Sequence, residues 1–300
     1  MKSLKLIALY YYICECYDTE LRWICQRFSN NSVPLFLDQE CLCIYLYAIN
    51  EEGKSSIKSI YDYADRYLRS WFPDLPSYQA FNARINRLSG VFPVLIERFL
   101  GDMPSDCVDF GICLMDSLPI ITCSGRRAGK VAPELTTKGY CSTKNQHYYG
   151  LKLHGIAFRV RGTLPRPEVF LLSSASEHDL CVLKSCLVSL KNRSFYADKA
   201  YANEPFNTYL QQQAQSTIFT PVKLKKGQSQ WERAWNKAAD DLFSRAVSAI
   251  RQPIESLFAW LIRKTDIQRA SAVRSTKGLI AHVFGRIAAA CLTNVPVLNP

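Results

Sequence analysis

The sequence predicts a mixed α/β protein in which a small all-helical region precedes a strand-rich one. Three observations carry that expectation. Apolar residues recur at helical spacing through roughly the first hundred positions. The period shortens to that of strands after GDMPSD, near residue 104. Beyond that point the order is strand, strand, strand, helix, strand, helix, strand, then helices. Three strands in succession suit an antiparallel meander, and the last two suit crossover connections, so the expected product is a mixed sheet flanked by helices. A length of 300 residues with 48% hydrophobic content is enough for a sizeable core in about two domains.

The elements follow in order. Residues 4–28 alternate apolar and polar positions at helical spacing and stop near the turn-rich SNNSVP. A second helix spans about Asp38 to Asn50, and EEGKSSIKSIYDYADRYL reads as a turn and a third helix, ended by Pro73 and Pro76. Ser77 is placed to cap the next helix, whose polar face carries Asn82, Arg84 and Arg87. Helix, break, helix with exposed arginines is compatible with a helix-turn-helix in which Arg84 and Arg87 touch DNA; an ordinary bundle with a solvated basic face is the alternative. Residues 1–103 are therefore expected to form a helical N-terminal domain. CVDFGICLMDS is the first strand, and the polar stretch ITCSGRRAGKVAPELTTKGYCSTKNQH a long loop. YYGLKLHGIAFRV and RPEVFLLSSAS are strands, EHDLCVLKSCLVSL a helix, SFYADKAY a fourth strand, NEPFNTYLQQQA a helix and STIFTPV a fifth strand. A basic, mainly helical stretch at about 223–250 leads into RQPIESLFAWLIRK and GLIAHVFGRIAAACL, which close a second domain over 104–292 ahead of a tail at 293–300.

The formal net charge of +11 favours partners with phosphate backbones. The twelve cysteines contain no CxxC, and most stand singly in apolar runs, where a thiol behaves as a small hydrophobe. No apolar run reaches the ~18 residues of a membrane span, and the opening MKSLKLIALYYYIC lacks a small-residue cleavage site. A cytoplasmic protein is expected.

Three acids stand in distinct settings. Asp116 ends the apolar run GICLMDS, Asp198 follows a short apolar run and opens DKAY, and Glu255 lies in an amphipathic segment. Carboxylates from two strand ends and a helix are the hard oxygen ligands that a pair of divalent ions needs for phosphodiester chemistry. Each of the strand-end acids alone also fits a turn or cap role. Arg251 precedes Glu255 by one helical turn and can pair with it or hold a phosphate. Strand alternation puts Lys152 and His154 on one face of YYGLKLHG, turned toward an anion, and His178 opens the following helix. Between Lys223 and Arg286 there are thirteen lysines and arginines against five acids, so this stretch holds eight of the eleven net positive charges. Lys223, Lys225, Lys226, Arg263 and Lys264 from this stretch are candidate backbone contacts, and Trp231 a candidate platform for bases, with helix packing as its alternative.

The segments LPSYQAFNARINRL, MDSLPI, KGYCSTKNQHYYGLKLHG, FLLSSASEHD, YADKAY and RQPIESLFAWL, taken in that order, give the chain a resemblance to bacterial insertion-sequence transposases with a DDE domain. The likeness runs from about Leu35 to Leu292. It implies a ribonuclease H-like catalytic fold in which Asp116 is the first acid, Asp198 of the D-K-A/G-Y motif the second and Glu255 the third. Arg251 would be the accompanying arginine and Lys199 a supporting base. It further implies magnesium, or manganese in its place, bound by the three acids. The partner would be double-stranded DNA: the element's terminal inverted repeats, whose freed 3'-hydroxyls are joined to target DNA. A homodimer on the DNA and a nucleoid-associated location in a bacterium go with that reading. Two positions depart from the family pattern, Ser248 where a tyrosine often stands and Ile262 where a lysine does. Two other functions compete: a DNA-binding relative that no longer cuts, and a metal-dependent nuclease without strand transfer.

Overall fold

The computed structural model describes residues 2–26, 34–126, 129–141, 144–223 and 230–298. Helices come first: α1 (Lys2–Cys16), α2 (Arg22–Ile24), α3 (Asp38–Asn50), α4 (Ile57–Tyr63), α5 (Tyr78–Arg87) and α6 (Val91–Asp102). Local chemistry sets their starts. Ser56 and Ser77 accept hydrogen bonds from the N–H groups of Ser59 and Ala80, which the first turn of a helix otherwise leaves unpaired. Helix α3 is buried continuously from Cys41 to Ile49, so it runs through the middle of this region rather than along its surface.

The sheet and its helices follow as β1 (Val108–Ser124), β2 (Thr137–Cys141), β3 (Gln146–Val160), β4 (Arg166–Ser174), α7 (Asp179–Ser189), β5 (Ser194–Tyr196), α8 (Glu204–Ala214) and β6 (Thr217–Phe219). Three more helices close the chain: α9 (Gln230–Arg251), α10 (Pro253–Thr265) and α11 (Thr276–Cys291). The strand order is β2-β3-β1-β5-β6, with β4 also paired to β3. Strands β1, β3 and β4 form an antiparallel meander, whereas β5 runs parallel to β1 and β6 parallel to β5. This is a mixed sheet with flanking helices, as the element order predicts, with six strands where that order counts five. One element was unexpected: β2 lies inside the segment read as a long loop. It is five residues long and buries only Gly139 and Cys141. Strand β1 also runs on through Pro119. Its β5 edge is unpaired between Leu114 and Ile121, where it bonds to Gln268 and Ala270, so a residue without an N–H is tolerated in that gap.

Two cores sandwich the sheet. On one face Leu114, Leu118, Leu151 and Leu153 pack with Phe258 and Leu261 of α10, continuous with Leu42, Phe92 and Ile287 of the helical region. On the other face Met115, Ile156 and Phe195 pack with Leu183, Tyr201 and Leu210. The break near residue 104 separates helices from strands along the chain, but the first core crosses it. Helix α11 packs against α3, α5 and α6. The Tyr45 hydroxyl donates to the Ala281 carbonyl at 3.1 Å, and a Cβ at Gly285 would lie 2.7 Å from the Tyr45 ring. Among the described residues no disulfide joins the cysteines, and Cys41, Cys43, Cys113 and Cys291 are buried. Among the described residues no helix is long and apolar enough to cross a membrane.

Candidate active site

The site is built midway along β1, just past the residues that pair with β5. Asp116 pairs with Gly155 of β3. Its neighbours two positions away, Leu114 and Leu118, belong to the core under α10, so strand alternation points Asp116 to the α10 face and Ser117 to the α7 face. Helix α9 ends at Arg251 and α10 starts afresh at Pro253, whose fixed backbone suits a first helical turn. Phe258 of α10 lies against Gly155, where a Cβ would approach its ring to 3.0 Å. That close approach sets α10 down on the strand beside Asp116 and carries Glu255, one turn earlier, over the strand. Arg251 then spans the two acids. It donates to Asp116 Oδ2 at 2.8 Å and to Glu255 Oε1.

Asp198 arrives by register. Leu114 of β1 lies opposite Tyr196 of the parallel strand β5, so Asp116 and Asp198 each stand two residues beyond a matched pair. Asp198 lies just past the carboxyl end of β5, the end where open α/β sheets place their ligands, and Asp116 stands midway along the longer β1. The Asp198 side chain makes no capping bond to the 3₁₀ turn that follows it (Lys199–Tyr201), and it is exposed.

The electrostatics tie the three acids together. Burial pushes the Asp116 carboxyl up to about 6; Glu255 and Asp198 push in the same direction, while Arg251 and the Ser117 N–H, at 2.8 Å, pull against them. Asp116 is thus poised to take up or release a proton near neutrality. The donor set is all carboxylate oxygen, which fits a hard divalent cation. The arrangement is less ready than the chemistry: among the described residues no three His, Cys, Asp or Glu side chains are gathered closely enough to hold a metal ion. Arg251 occupies the place between Asp116 and Glu255 instead.

The supporting residues divide sharply. Lys152 and His154 share a face, as alternation requires, but that face is closed. Lys152 donates to Asp179 Oδ1 at 2.7 Å and to the Glu177 carbonyl at 2.8 Å. His154 is fully buried against Ser173, 2.8 Å from Nε2, and burial lowers its pKa to about 4 despite the pull of Asp179. It is neutral at pH 7 and out of reach of a phosphate. His178 and Lys199 are exposed, the first at the N-cap of α7 and the second beside Asp198.

Arg84 and Arg87, expected on a DNA-facing surface, turn inward. Arg87 bonds to Asp38 and to the Cys25 carbonyl at 2.9 Å, while Arg84 bonds to the Phe36 carbonyl and lies 3.7 Å from Asp38. Asp38 is 4% exposed, and a carboxylate so deep requires a cationic partner. Lys264 is likewise turned from the site: it lies nine residues after Glu255, on the opposite side of α10, where burial lowers its pKa and its charged neighbours are Glu51 and Lys5. Lys223 and Arg263 are exposed; Lys225 and Lys226 lie outside the described residues. Trp231 and Trp235 are exposed and stack on each other with centroids 5.3 Å apart.

Two residues of the site gain a role the sequence did not give them: Asp179, legible there only as an acid at a helix start, and Tyr201, which escaped it altogether. Asp179 accepts Ser117 Oγ at 3.0 Å as well as Lys152, linking α7 to the residue after Asp116. Tyr201, three residues after Asp198, is buried, and the charges of Asp179, Asp116 and Asp198 act on its hydroxyl. Its place in the same YADKAY motif as Asp198 was the available signal.

A protein-family model described as a transposase DDE domain matches residues 110–292, a span that contains Asp116, Asp198, Arg251 and Glu255 and leaves out α1–α6. No curated protein and no solved structure matches the chain.

Proposed function

Since the chain belongs to the family of transposases with a DDE domain, we propose that it binds the terminal inverted repeats of an insertion sequence, cuts the element ends and joins them to target DNA. Asp116, Asp198 and Glu255 are the reacting acids in this reading. The observation that carries it is the single cluster in which Arg251 holds Asp116 and Glu255 while Asp198 stands in register beside Asp116.

The family is dependent on a divalent metal, typically magnesium, and the three carboxylates are the residues that would hold it. When bound, such ions neutralise the phosphate and stabilise both its attacking and its leaving oxygen. The chain's own contribution is positional and electrostatic. Asp116, whose pKa near 6 leaves it largely ionised at neutral pH, is fixed by the Ser117 N–H. Arg251 neutralises Asp116 and Glu255 while the site is idle. Once it yields those carboxylates, its guanidinium is placed to take a phosphate oxygen, a planar group well matched to that contact. Exposed Lys199, Lys223 and Arg263 offer charge to a passing backbone. A homodimer holding two element ends completes the reading.

One observation favours the alternative of a DNA-binding relative that no longer cuts: the acids do not form a ready metal group among the described residues. Cleavage and strand transfer with Mg²⁺, on DNA carrying the element's own ends, separates the readings. Cut and joined ends, lost in Asp116→Asn and Asp198→Asn with end binding kept, support the transposase. DNA that is bound and never cut supports the alternative, and cutting without joining supports a nuclease.

A further inference from the structure

Tyr201 presents a buried hydroxyl with no hydrogen-bond partner. The ring is 1% exposed and packed in the second core, and the backbone N–H of Tyr201 donates to the Asp198 carbonyl at 3.0 Å. The hydroxyl is therefore fixed in place with respect to the turn that carries Asp198. A buried hydroxyl left unpaired gives up its hydration with nothing in exchange, so such groups are rare without a reason. Burial holds its pKa well above the ordinary tyrosine value, and Asp179, Asp116 and Asp198 add to that effect, so the group remains a proton donor.

Those three acids are the acceptors within its field, and their other bonds discriminate among them. Asp179 already receives Lys152 on one oxygen and Ser117 on the other. Asp116 receives the Ser117 N–H on one oxygen and Arg251 on the other. Asp198 carries no capping bond, and its carboxylate is exposed. Asp198 is also the N-cap of the 3₁₀ turn that Tyr201 ends, so the two side chains leave the chain within one turn of each other.

We propose that Tyr201 is a positioning residue that receives the Asp198 carboxylate by hydrogen bond and so draws it inward beside Asp116 when the acids gather around a cation. The proposal rests on the reading of Asp116, Asp198 and Glu255 as the metal-holding centre. It makes closure of the site a side-chain rotation at Asp198 onto a donor already in place.

The test is Mn²⁺ binding to the full chain without DNA, followed by electron paramagnetic resonance and calorimetry. Tyr201→Phe should leave the thermal midpoint unchanged or raised, because the hydroxyl it removes has no partner. It should weaken Mn²⁺ binding about tenfold, as loss of one charge-assisted hydrogen bond implies. In the double variant with Asp198→Ala the loss should be no greater than in Asp198→Ala alone. Wild-type Mn²⁺ affinity in Tyr201→Phe overturns the proposal, and so does a fully additive double variant. Asp116→Asn separates the two readings. If it abolishes Mn²⁺ binding while Tyr201→Phe has no effect, only the role of Tyr201 fails. If Asp116→Asn binds like wild type, or wild type binds no Mn²⁺, the centre itself is misread and the proposal falls with it.

Discussion

The two sides of β1 around Asp116 carry similar charges and use them differently. On the α10 side Asp116, Arg251 and Glu255 meet at an open edge, where Glu255 is 54% exposed. On the α7 side Asp179 receives Ser117 and Lys152 in a half-buried cluster, and His154, bonded to Ser173, is 0% exposed beneath it. A lysine and a histidine on one strand face looked, in sequence, like an anion-facing surface. The anion they face is internal, the Asp179 carboxylate. A basic side chain near reacting acids thus has two quite different uses, and the partner supplied by the chain itself decides between them. The open side can exchange its partners for a ligand, while the closed side holds β3 and α7 in place.

The largest expected effect lies on the open side. Asp116→Asn and Asp198→Asn should reduce cleavage of element-end DNA to background, while a gel-shift titration shows end binding unchanged. Gly155→Val comes next. Its side chain would push against Phe258, so we expect about 1–3 kcal/mol of destabilisation in urea unfolding and loss of most cleavage as Glu255 moves from the strand. Wild-type cleavage in Gly155→Val would show that Glu255 does not depend on this packing contact.

The pH dependence sharpens the contrast further. The ordinary carboxylate value is about 4, whereas burial holds Asp116 near 6. The native state therefore holds this proton more tightly than the unfolded chain. The stabilisation from it is complete below about 4 and is lost as the pH rises through about 6. Cleavage runs in the opposite sense, since the reacting acid must be ionised, and should rise as the pH passes through about 6. A rate profile gives that limb directly, and Asp116→Asn should flatten the matching slope in stability.

On the closed side Lys152→Ala leaves Asp179 with Ser117 as its remaining side-chain donor. About 2 kcal/mol of lost stability is expected, with no change in the salt dependence of DNA binding. The exposed Arg263 gives the smallest and converse effect: Arg263→Ala should change stability by less than about 0.5 kcal/mol and reduce the slope of log affinity against log salt by about 1. If the Lys152 variant altered the salt slope as Arg263 does, the distinction between the two sides would collapse.

What the sequence showed and what it hid follow from the range of the interactions concerned. Period-two runs marked the main strands because alternation is local information, but the end of β1 was misjudged: Asp116, read as closing the strand, lies midway along it. Strand β2 was missed because TKGYC buries only a glycine and a cysteine in alternation, a pattern shared with polar loops. Arg84 and Arg87 were misplaced because helical periodicity assigns charged residues to water, and the buried Asp38 that draws them inward is more than forty positions away. Lys264 was read by charge where its position around α10 was decisive. Tyr201 was overlooked because a tyrosine after a catalytic-type motif reads as core; what singles it out is the missing partner of its hydroxyl, visible only in three dimensions.

Helix α11 has a consequence for how the protein is made. It packs on α3, α5 and α6, supplies the carbonyl that Tyr45 bonds to, and places the Arg286 guanidinium on the Ser55 carbonyl. During synthesis at about 5–20 residues per second, the first six helices wait roughly 10–40 s for the segment that finishes their packing. A messenger cut short before Thr276 would therefore leave both halves without their shared packing, and the helical region would not persist as a free folded fragment.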